Sequence, residues 1–239
     1  MSNYVLKLIL DAPLQSYGVK SRWDTRDTST YPSKSAVIGI LSCALGYPRG
    51  DKRIDELTNN VNVHVRIDKT GNVIEDLQTV NWPIKEYQQK VNWSPKSRNS
   101  RKTDKAHNDF HPLLTKMYIC DAIFTVFVEG SKEIIERCYN AMINPVWPVY
   151  LGRKCCIPAS PIVQERPFEL ESDIETLIKE TPIFDMARVL KKDKTEYIFE
   201  YVIEDRAGNI FLYDTPDSRG YRYYKGRKIK KGTFMLKMV

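Results

Sequence analysis

The stretch DAPLQSYGVKSRWDTRDTSTYPSKSAVIGILSCALG, Asp11 to Gly46, decides the fold, because it joins a strand to a helix through one long polar loop. Just ahead of it, Tyr4-Val5-Leu6-Lys7-Leu8-Ile9-Leu10 is an almost unbroken apolar run, which reads as a strand. At its far end, Ser33 is placed to cap a helix over Ser33–Leu45, with Lys34 in the first turn and Gly46 as a left-handed stop. The helix is apolar on Ala36, Val37, Ile38, Ile40, Leu41, Ala44 and Leu45. The loop between carries Lys20, Arg22 and Arg26, interleaved with Tyr17 and Trp23. A helix start presents unpaired backbone N–H groups and partial positive charge, so strand, loop and helix together form a seat suited to a phosphate backbone.

Working outward, Val61, Val63, Val65 and Ile67 alternate with Asn62, His64 and Arg66, the pattern of a half-buried strand. Lys69-Thr70-Gly71-Asn72 reads as a turn, with Val73 to Val80 returning antiparallel. From Asn81 to Lys116 no apolar period is sustained. That segment holds Lys85, Lys90, Lys96, Arg98, Arg101, Lys102, Lys105 and Lys116, with Trp82, Tyr87, Trp93 and Phe110 spread among them. So long a connection inside a compact domain marks a functional insertion or disorder, and bulky aromatics argue against disorder. Tyr118–Val128 is a β-prone run, Ser131 caps a helix from Lys132 to about Met142, and Val149 to Lys154 forms a short strand and turn around Gly152.

This order predicts an α+β fold with a ferredoxin-like βαββαβ core, the topology shared with RNA-recognition motifs. We assign residues 1–158 to the core, with a basic insertion at about 81–116. Residues 159–239 form a β-rich C-terminal appendage, with β-prone runs at Ile183–Leu190, Glu196–Glu204, Asn209–Asp214 and Phe234–Met238.

The chain has 239 residues and 37 basic against 30 acidic side chains, a net charge of +7 that favours a polyanionic partner without specifying one. No apolar run approaches the roughly 20 residues needed to cross a bilayer, and no signal peptide is evident, so no membrane role is expected. Cys43, Cys120, Cys138, Cys155 and Cys156 lack CxxC spacing, which points to reduced thiols and a cytoplasmic location. The sequence carries no Walker loop, nucleophile elbow or dinucleotide fingerprint, and no cofactor is implied. His107 and His111 are spaced for one helical face, but Pro112 follows and no third ligand is evident, so no metal site is assigned. The same pair suits metal-independent RNA cleavage as base and acid, with Lys105 or Lys116 stabilising the phosphate.

Four stretches carry a family resemblance: PLQSYG at Pro13–Gly18, PSKSAVIGILSCALG at Pro32–Gly46, YICDAIFTV at Tyr118–Val126 and VYLGRKCCIPASPI at Val149–Ile162. In this order they resemble the CasD family, the CRISPR-associated RAMP subunits of the type I-E Cascade complex. The resemblance covers residues 4 to about 165. It implies a RAMP fold and a non-catalytic subunit that binds the 5′ handle of CRISPR RNA in antiviral defence. It also implies docking to the Cascade backbone subunit and the large PAM-reading subunit, with target DNA contacted only indirectly. By the same resemblance the basic insertion stands where the family has a projecting thumb.

The RNA-binding candidates follow from chemistry and resemblance together. In the opening loop and helix start they are Gln15, Ser16, Tyr17, Lys20, Arg22, Arg26, Ser33 and Lys34, with Tyr17 or Trp23 available to stack on a base. In the thumb they are Lys96, Arg98, Arg101 and Lys102, where spaced cations among aromatics suit a single strand. After the second helix they are Gly152, Arg153 and Lys154; glycine permits close approach, and arginine offers a planar fork. The RGYRYYKGRKIKK run, Arg219–Lys231, suits RNA or an acidic protein neighbour. For each, a solvated basic loop or turn is the competing reading. Metal-independent endoribonuclease activity on precursor CRISPR RNA is the alternative function.

Overall fold

The computed structural model describes residues 3–19, 21–22, 24–79, 113–190, 195–217 and 223–237. In chain order the strands of the first half are β1 (Asn3–Asp11), β2 (Leu14–Gln15), β3 (Thr25–Arg26), β4 (Val61–Lys69), β5 (Asn72–Thr79), β6 (Leu113–Cys120) and β7 (Ile123–Ser131). The helices there are α1 (Lys34–Ala44), α2 (Lys52–Asn60) and α3 (Lys132–Ile143). The remainder holds β8 (Phe168–Glu169), α4 (Ile174–Glu180), α5 (Met186–Val189), β9 (Glu196–Glu204), β10 (Ile210–Asp217) and β11 (Tyr223–Lys237).

Seven strands form one sheet in the order β10-β11-β9-β4-β7-β1-β8, and every neighbouring pair is antiparallel. The sheet is covered on both faces. Leu6, Leu8 and Leu10 of β1 and Phe124, Val126 and Val128 of β7 pack with Val37, Ile38 and Leu41 of α1 and Ile135 and Cys138 of α3. On the other face Val5 and Phe127 meet Ile178 of α4, with Tyr201 and Ile203 of β9. This double burial explains why β1 and β7 read as continuous apolar runs rather than as alternating strands.

Several expectations are corrected. The polar face of β4 is not solvated: His64 and Arg66 are 1% and 0% exposed. Arg66 bonds Asp68 at 2.5 Å and donates to the carbonyls of Ile178 and Thr181 at 2.8 and 2.5 Å, so it ties β4 to the C-terminal end of α4. The return strand β5 pairs with β6, not β4. Together with β2 and β3 it makes a second, smaller sheet built on β6. Thr79 lies opposite Leu113, so the strand ends flanking residues 80–112 are adjacent, and β6 already includes positions 113–116. The run Ile183–Leu190 is not a strand; it contains the single turn α5, started by Asp185, whose carboxylate accepts from the Arg188 backbone N–H. Val149–Lys154 holds the expected turn but no strand, and Ser131 stands at the start of α3 without a side-chain cap bond. At the other edge β9 joins β4 through Val65, Arg66 and Ile67, so β9, β11 and β10 continue the same sheet. Among the described residues no helix is long and apolar enough to cross a membrane.

Candidate nucleic-acid interface

The opening loop leaves β1, pairs briefly with β6 as β2 and β3, and enters α1. Ser33 is the cap as expected, its Oγ accepting from the Ala36 N–H at 3.3 Å, and Gly46 follows α1 at φ 70°. What fixes the loop is a second segment more than a hundred residues away. The Ser16 N–H donates to the Leu151 carbonyl at 3.1 Å. Gly152, at φ 100°, presses its Cα on the Ser16 backbone so closely that any Cβ would overlap the Ser16 carbonyl oxygen. Arg153 then donates to the Arg26 carbonyl at 2.9 Å and the Met117 carbonyl at 3.0 Å, with its guanidinium 4.4 Å from the centre of the Tyr118 ring. The Leu-Gly-Arg turn therefore clamps both ends of the loop to β6.

Three expected RNA ligands are corrected by burial. Gln15 is fully buried; its amide donates to the carbonyls of Leu10 and Ala122, and its oxygen accepts from the Tyr17 hydroxyl at 2.6 Å. Tyr17 is 2% exposed and lies edge-on to Phe124, and burial pushes its hydroxyl pKa well up, so its ring is not available for stacking on a base. Lys34 is 3% exposed, and its ammonium bonds Glu204 at 2.7 Å and the Val61 carbonyl at 2.9 Å. Its backbone N–H donates to Asp214, so a carboxylate of β10 occupies the helix start where phosphate was expected. Burial lowers the Lys34 pKa, with Glu204 opposing that shift. Arg227 of β11 completes the cluster, forked onto Asp214 at 2.7 and 2.9 Å and reaching Glu204 at 3.1 Å.

Other candidates do face outward. Arg22 and Lys154 are exposed, and Arg26 is half-buried. Ser16 and Ser33 are themselves only 4% and 6% exposed, but with Tyr17, Gly18, Ser35 and Gly152 they line a cleft of about 520 Å³. Gly39, Tyr47, Trp147 and Tyr150 also line it. Sequence reasoning missed those four. One signal was present: Gly39 sits inside α1, and an added Cβ there would meet nothing within 4 Å, so the chain's own packing does not require glycine. Lys20, Trp23, Lys96, Arg98, Arg101, Lys102, His107 and His111 lie outside the described residues. The Arg219–Lys231 run is not a free basic stripe over its described part: Lys225 pairs with Asp217, Arg227 is buried, and Lys230 pairs with Glu175.

This loop-and-turn construction on an antiparallel sheet marks a class, and comparison with known proteins gives its family. The chain belongs to the family described as CRISPR-associated protein (Cas_Cas5), matched over residues 5–233. It is similar to the CRISPR system Cascade subunit CasD of Escherichia coli (strain K12), with 26% identity over 166 residues, or 68% of this chain and 70% of that one. Among solved structures it is similar to a chain of a CRISPR RNA-guided surveillance complex, with a TM-score of 0.72, 25% identity and coverage of 98% of this chain and 91% of the other. A second, a Cas protein crystal structure, has a TM-score of 0.67 at 26% identity, covering 96% and 94%.

Proposed function

We propose that this protein is a subunit of a Cascade-type CRISPR surveillance complex and holds the 5′ handle of the CRISPR RNA without cutting it. The observation that carries the reading is the junction of two distant motifs at one cleft, where Gly152 locks the Ser16 backbone and the serines of the loop and helix start line the wall. A hydroxyl-lined cleft with exposed cations nearby suits sugar and phosphate, and the aromatic rings in its lining suit bases. In this reading Ser16, Ser33, Arg22, Arg26 and Lys154 touch RNA, while Gln15, Tyr17, Lys34, Gly152 and Arg153 position the loop. The thumb cations Lys96, Arg98, Arg101 and Lys102 complete the RNA-binding set on chemical grounds.

The strand arrangement supports the finer assignment. Read from β8 through β1 and β7 to β4, the order is fourth, first, third, second, as in a ferredoxin-like core. The β5–β6 hairpin would then be the base of the thumb, the core would run past the expected boundary at 158 to β8 at Phe168–Glu169, and the remainder of residues 159–239 would extend it. The proposed partners are the repeated backbone subunit and the large PAM-reading subunit, in the cytoplasm.

The test is a metal-free incubation of the purified protein with labelled repeat RNA, scored for both binding and cleavage. We expect a shift without product. Lys154→Glu and Arg22→Glu should weaken it, and each should lower the salt slope by about 0.7 for every phosphate that is no longer neutralised. A discrete cut that disappears in His107→Ala would instead establish the endoribonuclease.

A further inference from the structure

The loop that runs from α3 to the Leu-Gly-Arg turn carries apolar groups on its outside. Ile143, Val146 and Trp147 are 50%, 64% and 42% exposed, and Pro145 and Pro148 beside them are exposed too. From Cys138 to Gly152, fifteen residues in a row, there is no charged side chain, although 28% of the chain is charged. Single exposed apolar side chains are ordinary, but a cluster of them with a polar edge marks an interaction surface. The edge is present: Glu136 and Asn140, seven and three positions before Ile143 on α3, are exposed on the same side of the helix.

The loop is pinned with these groups outward. The Val146 N–H donates to the Ala44 carbonyl at 2.9 Å, and the Cys43 thiol donates to the Pro148 carbonyl at 3.4 Å. Gly46, at φ 70°, lies so close to Val146 that a Cβ there would stand 2.8 Å from its Cγ1. The two prolines restrict the backbone further. A surface held in this way loses little conformational freedom on docking.

We propose that Ile143, Val146 and Trp147 seat a neighbouring protein subunit, one that offers an uncharged apolar surface with a recess for the Trp147 indole. Charge decides against nucleic acid as the occupant: RNA is held mainly by cations on its phosphates, and this stretch has none. Ile143 and Val146 have no π face for a base, whereas an aliphatic patch around an exposed tryptophan is the anchor chemistry of protein interfaces. Trp147 also lines the cleft of about 520 Å³, so the docked subunit forms part of its rim and lies beside the RNA. The subunit meant is one of the surveillance complex proposed above, and the docking rests on that reading.

The experiment titrates the purified full chain into the remaining subunits of the complex, assembled on CRISPR RNA without it, and reads half-saturation by native mass spectrometry. RNA binding by the chain alone is measured in parallel. Trp147→Ala should weaken incorporation roughly thirtyfold. Ile143→Lys and Ile143→Glu, outside the cleft lining, should each weaken it roughly tenfold, with melting temperature and RNA binding by the chain alone unchanged. Opposite charges acting alike identify lost apolar burial as the cause. Val146→Gln, beyond the helix, should act in the same direction and gives the answer where a charge at the end of α3 disturbs folding.

Unchanged incorporation in these variants, or a wild-type chain that binds RNA yet is not incorporated, would overturn the docking surface and leave RNA binding intact. Loss of RNA binding in both Ile143 variants at a normal melting temperature would make the patch an RNA contact and overturn it equally. Concentration-dependent dimers of the wild-type chain that vanish in Ile143→Lys would put a second copy in the subunit's place. A wild-type chain that neither incorporates nor binds RNA would overturn both this surface and the proposed function.

Discussion

Gly152 shows most directly how one residue sets the candidate interface. Its φ of 100° is costly for any side chain, and its Cα faces the Ser16 carbonyl without room for a methyl group. Gly152→Ala must therefore strain the turn and push the loop away. We expect a loss of about 1–3 kcal/mol, which lowers the melting temperature by several degrees, together with weaker RNA binding. Melting curves and RNA titration on the same variant check both parts. Arg66 makes the complementary case in the core. It and Asp68 have fully buried side chains, with burial raising the Asp68 pKa and Arg66 opposing that. Arg66→Met would leave the carboxylate unpaired and remove the ties to Ile178 and Thr181, at a cost of about 3–5 kcal/mol read from urea unfolding. The double variant with Asp68→Asn should recover part of that loss.

Among the elements, α1 carries a conflict between stability and surface shape. Gly39 is exposed in the helix interior with open space above it. Gly39→Ala should stabilise the free protein by about 0.5–1 kcal/mol, since glycine is a poor helix former. Gly39→Gln should keep most of that gain but project into the cleft and weaken RNA binding. Equal RNA affinity for wild type and Gly39→Gln would remove α1 from the interface. The same helix shows what the sequence made legible. Ser33, the apolar face and Gly46 are local signals, and all three appear where expected. The partner of Lys34 was illegible because Glu204 and Asp214 lie some 170 to 180 positions away and no local rule links them. Gln15 and Tyr17 looked available because their sequence neighbours are polar. Only the packing of β7 and the 150s turn against the loop reveals that they are interior. His64 and Arg66 misled for a related reason: alternation along β4 assumes one wet face, and α4 removes it.

For the whole molecule, acid sensitivity is concentrated where strands from different regions share charge. Glu129 accepts from His64, Asn62 and Asn3, and these bonds, the one to His64 foremost, bring its pKa from 4.5 down to about 2. A carboxylate depressed in the folded state stabilises it above the unfolded pKa, and that contribution disappears as pH falls through the folded value. Stability should therefore decline from about pH 4.5 toward about pH 2. Glu129→Gln should flatten that part of the profile, seen as urea midpoints that change less between about pH 5 and about pH 3.

The cluster of Lys34, Glu204, Asp214 and Arg227 also orders events during synthesis. A ribosome adding roughly 5–20 residues per second completes α1 some ten to forty seconds before Arg227 is translated. Throughout that interval the helix start lacks the carboxylates that later neutralise Lys34 and cap its N–H. The nascent chain thus holds its first helix open to competitors, chaperones included, until the last strands arrive to close it.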